Sequence, residues 1–91
     1  MSEGRFRVEF APAAQRQLRR LPPGIAAGLR GPILALALDP RPPGVTKLVG
    51  SEFWRVRVGD LRVIYGIEEA ARLVVVLRVV RRSESTNRRV G

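Results

Sequence analysis

Arginines at alternate positions of two neighbouring segments are the residues of this chain best suited to do chemistry. The sequence RVRVGDLRV contains Arg55, Arg57 and Arg62 around the pair Gly59-Asp60. A glycine in first place is typical of a two-residue β-hairpin turn of type II′. Counting outward from that turn places Arg57 directly opposite Arg62, with Arg55 on the same side. Because guanidinium groups bind phosphate through paired N–H donors, this spacing predicts an anion site.

A third strand extends the row of arginines. If residues 68–72 form a five-residue loop, Arg62 pairs with Arg78, and Arg82 continues the alternation. Like charges directly opposite one another destabilise a sheet, so we expect an anion to lie between them. The alternative is a solvated basic face whose arginine stems cover apolar neighbours. For a single arginine that alternative is the better interpretation, whereas for four or five converging arginines we favour a functional site.

The overall composition indicates a polyanionic partner. Lys and Arg number 17 against 8 Asp and Glu, which gives a formal net charge of +9, and Lys47 is the one lysine. Residues 1–50 carry 8 cations and 3 anions and residues 51–91 carry 9 and 5, so both halves are basic. We expect nucleic acid or an acidic protein as the partner; the alternative is the arginine-rich usage of a GC-rich genome.

The residue types that are missing exclude several chemistries. The chain contains 0 His and 0 Cys. Disulfides, cysteine nucleophiles, histidine bases and ordinary zinc sites are therefore excluded. We expect neither a metal nor a cofactor.

Length and hydropathy indicate one domain outside the membrane. The 91 residues suffice for a single domain, 1–91, whose polar tail, residues 83–91, is expected to be ordered only in part. The first twenty residues lack the apolar segment of a secretory signal. The longest apolar run, residues 33–38, is too short to span a bilayer. We expect a cytoplasmic protein with no membrane contact.

The elements that position the arginines begin with a strand and two helices. Residues 6–10 alternate apolar and charged side chains, as a half-buried strand does. Residues 11–21 have apolar side chains at helical spacing, and a second helix is predicted from the prolines at 22–23 up to Asp39. Gly31-Pro32 is expected to weaken or kink that second helix.

The second half of the chain predicts an antiparallel meander. Residues 40–50 are rich in Pro and Gly and show neither a helical nor a strand period of apolar residues, which is typical of a loop. Strand-like runs follow at 53–58, 61–67 and 73–80. The order β-α-α-β-β-β predicts an α+β fold, in which a helical hairpin covers one face of a small antiparallel-rich sheet and leaves the other face free.

The hairpin register assigns apolar and aromatic side chains to the two faces. The expected core pairs are Trp54 with Tyr65, Val56 with Val63 and Val58 with Leu61. Phe53 falls on the free side, where it is placed to stack a nucleobase.

Three segments of the chain resemble the RelE/ParE superfamily of toxins from bacterial type II toxin–antitoxin systems. RVEFAPAAQRQLRRLPP is similar to the first strand and helix of that family, DPRPPGVTKLVGSEFWRVRVGDLRVIYGI to its central signature, and LVVVLRVVRRS to its last strand. The resemblance covers roughly residues 5–83. It implies a RelE-like fold over nearly the whole chain.

For RelE-type members the resemblance implies an mRNA interferase. Such toxins are ribosome-dependent endonucleases that cut mRNA in the ribosomal A site, inhibit translation, and are silenced by an antitoxin. The implied partners are the ribosome, mRNA and a RelB-like antitoxin. That antitoxin is expected to lay an acidic or amphipathic helix across the sheet or the helical hairpin.

The resemblance also implies roles for individual arginines. Arg55 and Arg57 match the family's basic pair, Arg62 its next arginine, and Arg82 its arginine after the last strand. The implied reaction is attack of a ribose 2′-OH on the adjacent phosphate, and we assign the stabilisation of developing charge to Arg62 and Arg82. The RNA-binding candidates are Arg55, Arg57, Lys47, Arg78 and Arg81, to which the helix arginines add sequence-independent attraction.

The sequence departs from the family pattern in its acid–base chemistry. The family often has a Tyr or a His near the C-terminus, whereas this chain reads RRSESTNRR there, with Thr86 at or beside that place. Tyr65 is expected to face the core, so Glu84 or a ribosomal group is left as the base, or catalysis rests on alignment and charge stabilisation. The alternatives to the nuclease are a ParE-like inhibitor of DNA gyrase and a degenerate toxin that only binds its antitoxin.

Overall fold

A five-stranded sheet with two helices on one face forms the part of the chain described by the computed structural model, residues 5–81. The elements are β1 (Arg7–Phe10), α1 (Pro12–Arg20), α2 (Pro23–Ala35), β2 (Thr46–Lys47), β3 (Trp54–Val58), β4 (Leu61–Glu68) and β5 (Leu73–Arg81). The strand order is β1-β5-β4-β3-β2, with β1 parallel to β5 and the other neighbours antiparallel. This architecture confirms the predicted α+β fold and adds one parallel pair to the antiparallel meander.

Proline fixes the limits of both helices. Pro12 and Pro23 occupy the first turns of α1 and α2, where a missing N–H costs no hydrogen bond. Leu21, which precedes Pro22, has a ψ of 147° and ends α1 in extended backbone. The second helix runs without a break through Pro32 and ends at Ala35, four residues before the predicted end at Asp39.

The core lies between the helices and one face of the sheet. Its buried side chains are Ala14, Leu29, Ile33, Leu36, Leu61, Val63, Tyr65, Val74, Val76 and Val79. Trp54, Val56 and Val58 are half-buried against this cluster, so the predicted core face of the hairpin is confirmed. Neither α1 nor α2, the two helices of the described residues, has the length and apolar character needed to cross a membrane.

The β3–β4 hairpin has the predicted register. Arg57 pairs with Arg62 and Trp54 with Tyr65. Gly59 has a φ of 60°, whereas the φ of Asp60 is not positive, as a type II′ turn requires. A residue with a Cβ is disfavoured at that φ, so Gly59 holds the turn that fixes the register.

The predicted β4–β5 register is wrong. Glu68 pairs with Leu73, so the connection has four residues and not five, and Arg72 in it has a φ of 52°. A β-bulge follows, because Tyr65 pairs with Val76 while Ile64 pairs with Arg78, which leaves Leu77 as the extra residue. The bulge reverses the alternation along β5, so that Val76 and Val79 both face the core.

The loop predicted for residues 40–50 contains a short strand. Thr46 pairs with Arg55 and Lys47 with Trp54, which makes β2 the edge of the sheet. A strand of two residues is too short to show a period of two, and its pairing is a long-range contact.

Candidate nucleic-acid interface

Four arginines lie together on the face of the sheet that the helices leave free, which we call the open face. Residues directly opposite one another on neighbouring strands share a face, with Cβ atoms roughly 5 Å apart. Arg57 is opposite Arg62, while Arg55 and Arg78 lie on either side of Ile64 in the adjacent row. We call Arg55, Arg57, Arg62 and Arg78 the arginine cluster.

Arg62 is the most enclosed member of the arginine cluster. Its side chain is half-buried between Arg57 on β3 and Val80 on β5. Its Nε is buried and donates no hydrogen bond to any of the described residues, 5–81. A buried donor without an acceptor costs roughly 1–3 kcal/mol, so an anion bound here would satisfy it.

Carboxylates of the described residues do not neutralise the arginine cluster. Within residues 5–81 the ion pairs join Arg7 to Glu9 and Arg41 to Glu69. Neither pair includes a member of the cluster. The mutual repulsion of its guanidinium groups therefore favours an external anion.

Two of the other predicted RNA-binding residues lie on the opposite face. Lys47 pairs with Trp54 and Arg81 pairs with Leu61, and both partners belong to the helix-packed side of the sheet. Arg81 lines a hollow there with Ile25 and Leu29. The structure thus brings Arg78 to the predicted site but not Lys47 or Arg81. Arg82, Glu84, Thr86 and the tail, residues 83–91, lie outside the described residues.

Tyr65 lies in the core and has no access to the open face. Its side chain is fully buried, and its hydroxyl donates a hydrogen bond of 2.7 Å to the carbonyl oxygen of Pro40. Burial raises the pKa of Tyr65 to about 12, while Arg41 lowers it and Asp39 raises it. The prediction that Tyr65 faces the core is confirmed, and its phenol is protonated at neutral pH.

The DPRPPG segment fastens the loop after α2 to the sheet, a role that sequence reasoning missed. Besides the Pro40 carbonyl bound by Tyr65, the Arg41 guanidinium lies 5.3 Å from the centre of the Trp54 ring and forms an ion pair with Glu69. The Asp39 carboxylate accepts a hydrogen bond from the Arg41 backbone N–H. The Asp-Pro-Arg motif is evident in the sequence, but the residues of the sheet and its connection that it contacts lie 13 or more positions away along the chain.

Comparisons with known proteins give one family and one fold. A family model described as the ParE toxin of the type II toxin–antitoxin system, parDE, matches residues 8–86. No curated protein matches the chain.

Several solved structures have the same fold. The RelBE2 toxin–antitoxin complex of Mycobacterium tuberculosis is similar at 28% identity over 89% of this chain and 95% of that chain, with a TM-score of 0.80. The archaeal RelE–RelB complex of Pyrococcus horikoshii is 26% identical over 85% and 94%, with a TM-score of 0.75. The isolated RelE toxin of E. coli, 20% identical over 91% and 97%, has a TM-score of 0.74.

Proposed function

This chain belongs to the ParE toxin family of type II toxin–antitoxin systems, within the RelE/ParE superfamily, and we propose that its toxic activity is ribosome-dependent cleavage of mRNA. The observation that carries the proposal is the buried Nε of Arg62, which has no acceptor in the described part of the chain and lies beside three further arginines. A phosphodiester supplies the acceptors that this arrangement lacks.

Arg62 is the member of the arginine cluster that we assign to catalysis. Attack of a 2′-OH on the adjacent phosphate builds negative charge on the phosphoryl oxygens. A guanidinium fixed by its neighbours stabilises that charge without reorganising during the reaction, and removal of one such donor typically costs about 10²–10³ in rate. Arg82 is proposed as its companion on the basis of the family resemblance.

The other three arginines are proposed to position the RNA. Arg57 is exposed to solvent, whereas Arg62 is half-buried. Arg55 and Arg78 lie in the adjacent row, on either side of Ile64. Contacts of this kind hold the phosphate backbone in register and carry no sequence information. The proton of the attacking 2′-OH is proposed to pass to a ribosomal group or to Glu84, because the phenol of Tyr65 is buried.

A RelB-like antitoxin is the proposed protein partner. Two of the similar structures are complexes of RelE-type toxins with RelB-type antitoxins. The net charge of +9 favours an acidic segment that covers basic surface. We propose that the toxin and its antitoxin meet in the cytoplasm, where mRNA and ribosomes are found.

Inhibition of DNA gyrase is the second candidate function. It is favoured by the family model, which is that of the ParE toxin, and by the burial of Tyr65, the one tyrosine of the chain. A toxin that works by binding gyrase needs no general base. A degenerate toxin that only binds its antitoxin is the remaining alternative.

Cleavage of mRNA on programmed ribosomes tests the proposal. Wild type, Arg62→Ala, Arg82→Ala and the control Arg30→Ala, at an exposed position on α2, would be compared, with gyrase supercoiling measured alongside. We expect cleavage by the wild type and by Arg30→Ala, and a loss of about 10²-fold or more in the other two. Intact mRNA together with inhibited gyrase would replace the proposal by the ParE-like activity. If the wild type neither cleaves mRNA nor inhibits gyrase, the protein only binds its antitoxin.

A further inference from the structure

The open face is divided by charge along the direction of its strands. The arginine cluster occupies the end near the Gly59 turn. Toward the opposite end the same face carries Glu68 on β4, while Glu9 on β1 forms an ion pair with Arg7, which lies on this face opposite Leu73. Positive charge on this face is therefore concentrated at the end near the Gly59 turn, and a bound polyanion is attracted to that end.

An apolar hollow lies between the arginines and the carboxylates. It has a volume of about 220 Å³, and its walls are Phe53, Gly66, Val75 and Leu77, with Glu52 and Glu68 at its rim. We call it the Phe53 hollow. Pockets for drug-sized ligands measure roughly 300–1,000 Å³, so this one suits a single small planar group.

Two local features shape the Phe53 hollow. A Cβ built on Gly66 would lie 3.4 Å from Cδ1 of Phe53, so the ring lies against the backbone of β4, where any side chain would crowd it. The ring is still 42% exposed. Leu77 continues the alternation of Val75 and Val76 onto the open face and supplies an apolar wall of the hollow. Phe53 thus offers a fixed aromatic surface on an otherwise charged face.

We propose that the Phe53 hollow binds an unpaired nucleobase of the RNA strand whose phosphate occupies the arginine cluster. The row of Arg55 and Ile64 is two residues along the strands from the row of Gly66, a distance of roughly 7 Å. This spacing matches the reach from the phosphate of a nucleotide to its base. Aromatic side chains stack exposed bases in single-stranded RNA, whereas the phosphate backbone is kept out of the hollow by its acidic rim.

The acidic rim also selects among bases. A carboxylate accepts a hydrogen bond from an exocyclic amino group, as it does from N4 of cytosine. Adenine, cytosine and guanine carry such a group, and uracil does not. Glu68, which lies on the open face and at the rim, is the residue assigned to this contact.

The base site rests on the proposed RNA-directed function, and binding of short oligoribonucleotides to the purified toxin separates the two. Fluorescence anisotropy would compare labelled hexamers of adenosine, cytidine and uridine with an abasic ribose-phosphate hexamer. The variants are Phe53→Leu, which removes the ring, Phe53→Tyr, which keeps it, and Glu68→Ala, which removes the acceptor. Arg57→Ala and Arg62→Ala show whether binding depends on the arginine cluster. Val49→Ala, at a fully exposed position between β2 and β3, is the control.

We expect the wild type, Phe53→Tyr and Val49→Ala to bind the adenosine hexamer roughly tenfold more tightly than the abasic hexamer. Phe53→Leu should lose this difference and keep its affinity for the abasic hexamer. Glu68→Ala, which removes the acceptor, should reduce the preference for adenosine and cytidine over uridine.

Two failures have different meanings. If the wild type binds all four hexamers equally, and binding depends on Arg57 and Arg62, the base site is overturned while RNA remains the substrate. If no hexamer binds in an arginine-dependent way, the RNA-directed function falls with it. Unchanged discrimination in Phe53→Leu also overturns the site and leaves the hollow to an apolar side chain of a protein partner.

Discussion

Arg57 and Arg62 hold like charges face to face on neighbouring strands of the open face. A directly opposed pair of this kind is unfavourable by roughly 0.2–1 kcal/mol relative to a neutral pair. The buried Nε of Arg62 adds the cost of an unpartnered donor. Both costs disappear when an anion binds, which is the residue-scale reason for regarding this surface as a binding site.

Reversal of one charge separates stability from function. In Arg57→Glu the new carboxylate would lie opposite Arg62, and we expect the free energy of unfolding to rise by roughly 0.2–1 kcal/mol. Affinity for single-stranded RNA should fall at least tenfold, because a phosphate contact becomes a repulsion. Urea denaturation and anisotropy measure the two effects, with Arg30→Glu on α2 as the control. A loss of stability together with a loss of binding would contradict the role given to the repulsion.

At the scale of elements, the loop after α2 is held to the sheet by side chains of β3, β4 and the β4–β5 connection. Tyr65 on β4 donates to the Pro40 carbonyl, while Arg41 contacts Trp54 on β3 and Glu69 in the β4–β5 connection. The exposed ion pair contributes little by itself. The buried hydrogen bond of Tyr65 is the contact on which the loop depends.

The raised pKa of Tyr65 predicts how stability changes at alkaline pH. The unfolded chain releases the phenol proton near pH 10, whereas the folded protein keeps it up to about pH 12. Stability therefore decreases between these values, because the unfolded state binds fewer protons, and the decrease approaches roughly 3 kcal/mol. In Tyr65→Phe we expect a loss of roughly 1–3 kcal/mol at pH 8 from the unpaired Pro40 carbonyl, without the further alkaline decrease.

Urea denaturation from pH 8 to 11.5 measures the alkaline effect. The wild-type and Tyr65→Phe curves should converge as the pH rises, since other titrating groups act on both proteins. Curves that stay parallel would show that Tyr65 ionises equally in the folded and unfolded states.

At the scale of the whole molecule, both faces of the sheet carry positive charge within the described residues, but its arrangement differs between them. The arginine cluster lies on the open face, whereas Lys47 and Arg81 lie on the helix-packed side. The net charge of +9 accelerates association with any polyanion. Under the proposed function, the contacts of the arginine cluster decide where the RNA stays.

The salt dependence of RNA binding distinguishes these two contributions. For single-stranded RNA, log K decreases with log salt by about 0.7 for each phosphate contact. We expect Arg55→Ala and Arg57→Ala each to reduce this slope by about 0.7, and Lys47→Ala and Arg81→Ala to change it by much less. Titrations at several salt concentrations give the slopes. Equal reductions in all four variants would mean that RNA contacts both faces.

The sequence by itself determined the β3–β4 hairpin and the central arginine pair. A two-residue turn with glycine in first place allows only one register, so Arg57 opposite Arg62 follows by counting. The burial of Tyr65 and the exposure of Phe53 follow from the same count. These features depend on residues close together in the chain, where alternation and turn chemistry are strong signals.

Only the tertiary structure decided the rest of the site. The segment Leu73–Leu77 is apolar at every position, so no alternation reveals where β5 changes face. The four-residue connection and the bulge at Leu77 each shift the register by one residue, and together they place Arg78 opposite Ile64 and not Arg62. The pairing of β2 with β3 placed Lys47 on the far side of the sheet. The parallel pairing of β1 with β5 and the enclosure of the Arg62 Nε depend on packing between distant segments. Such contacts are set by how the whole core fills its space, which a local pattern does not encode.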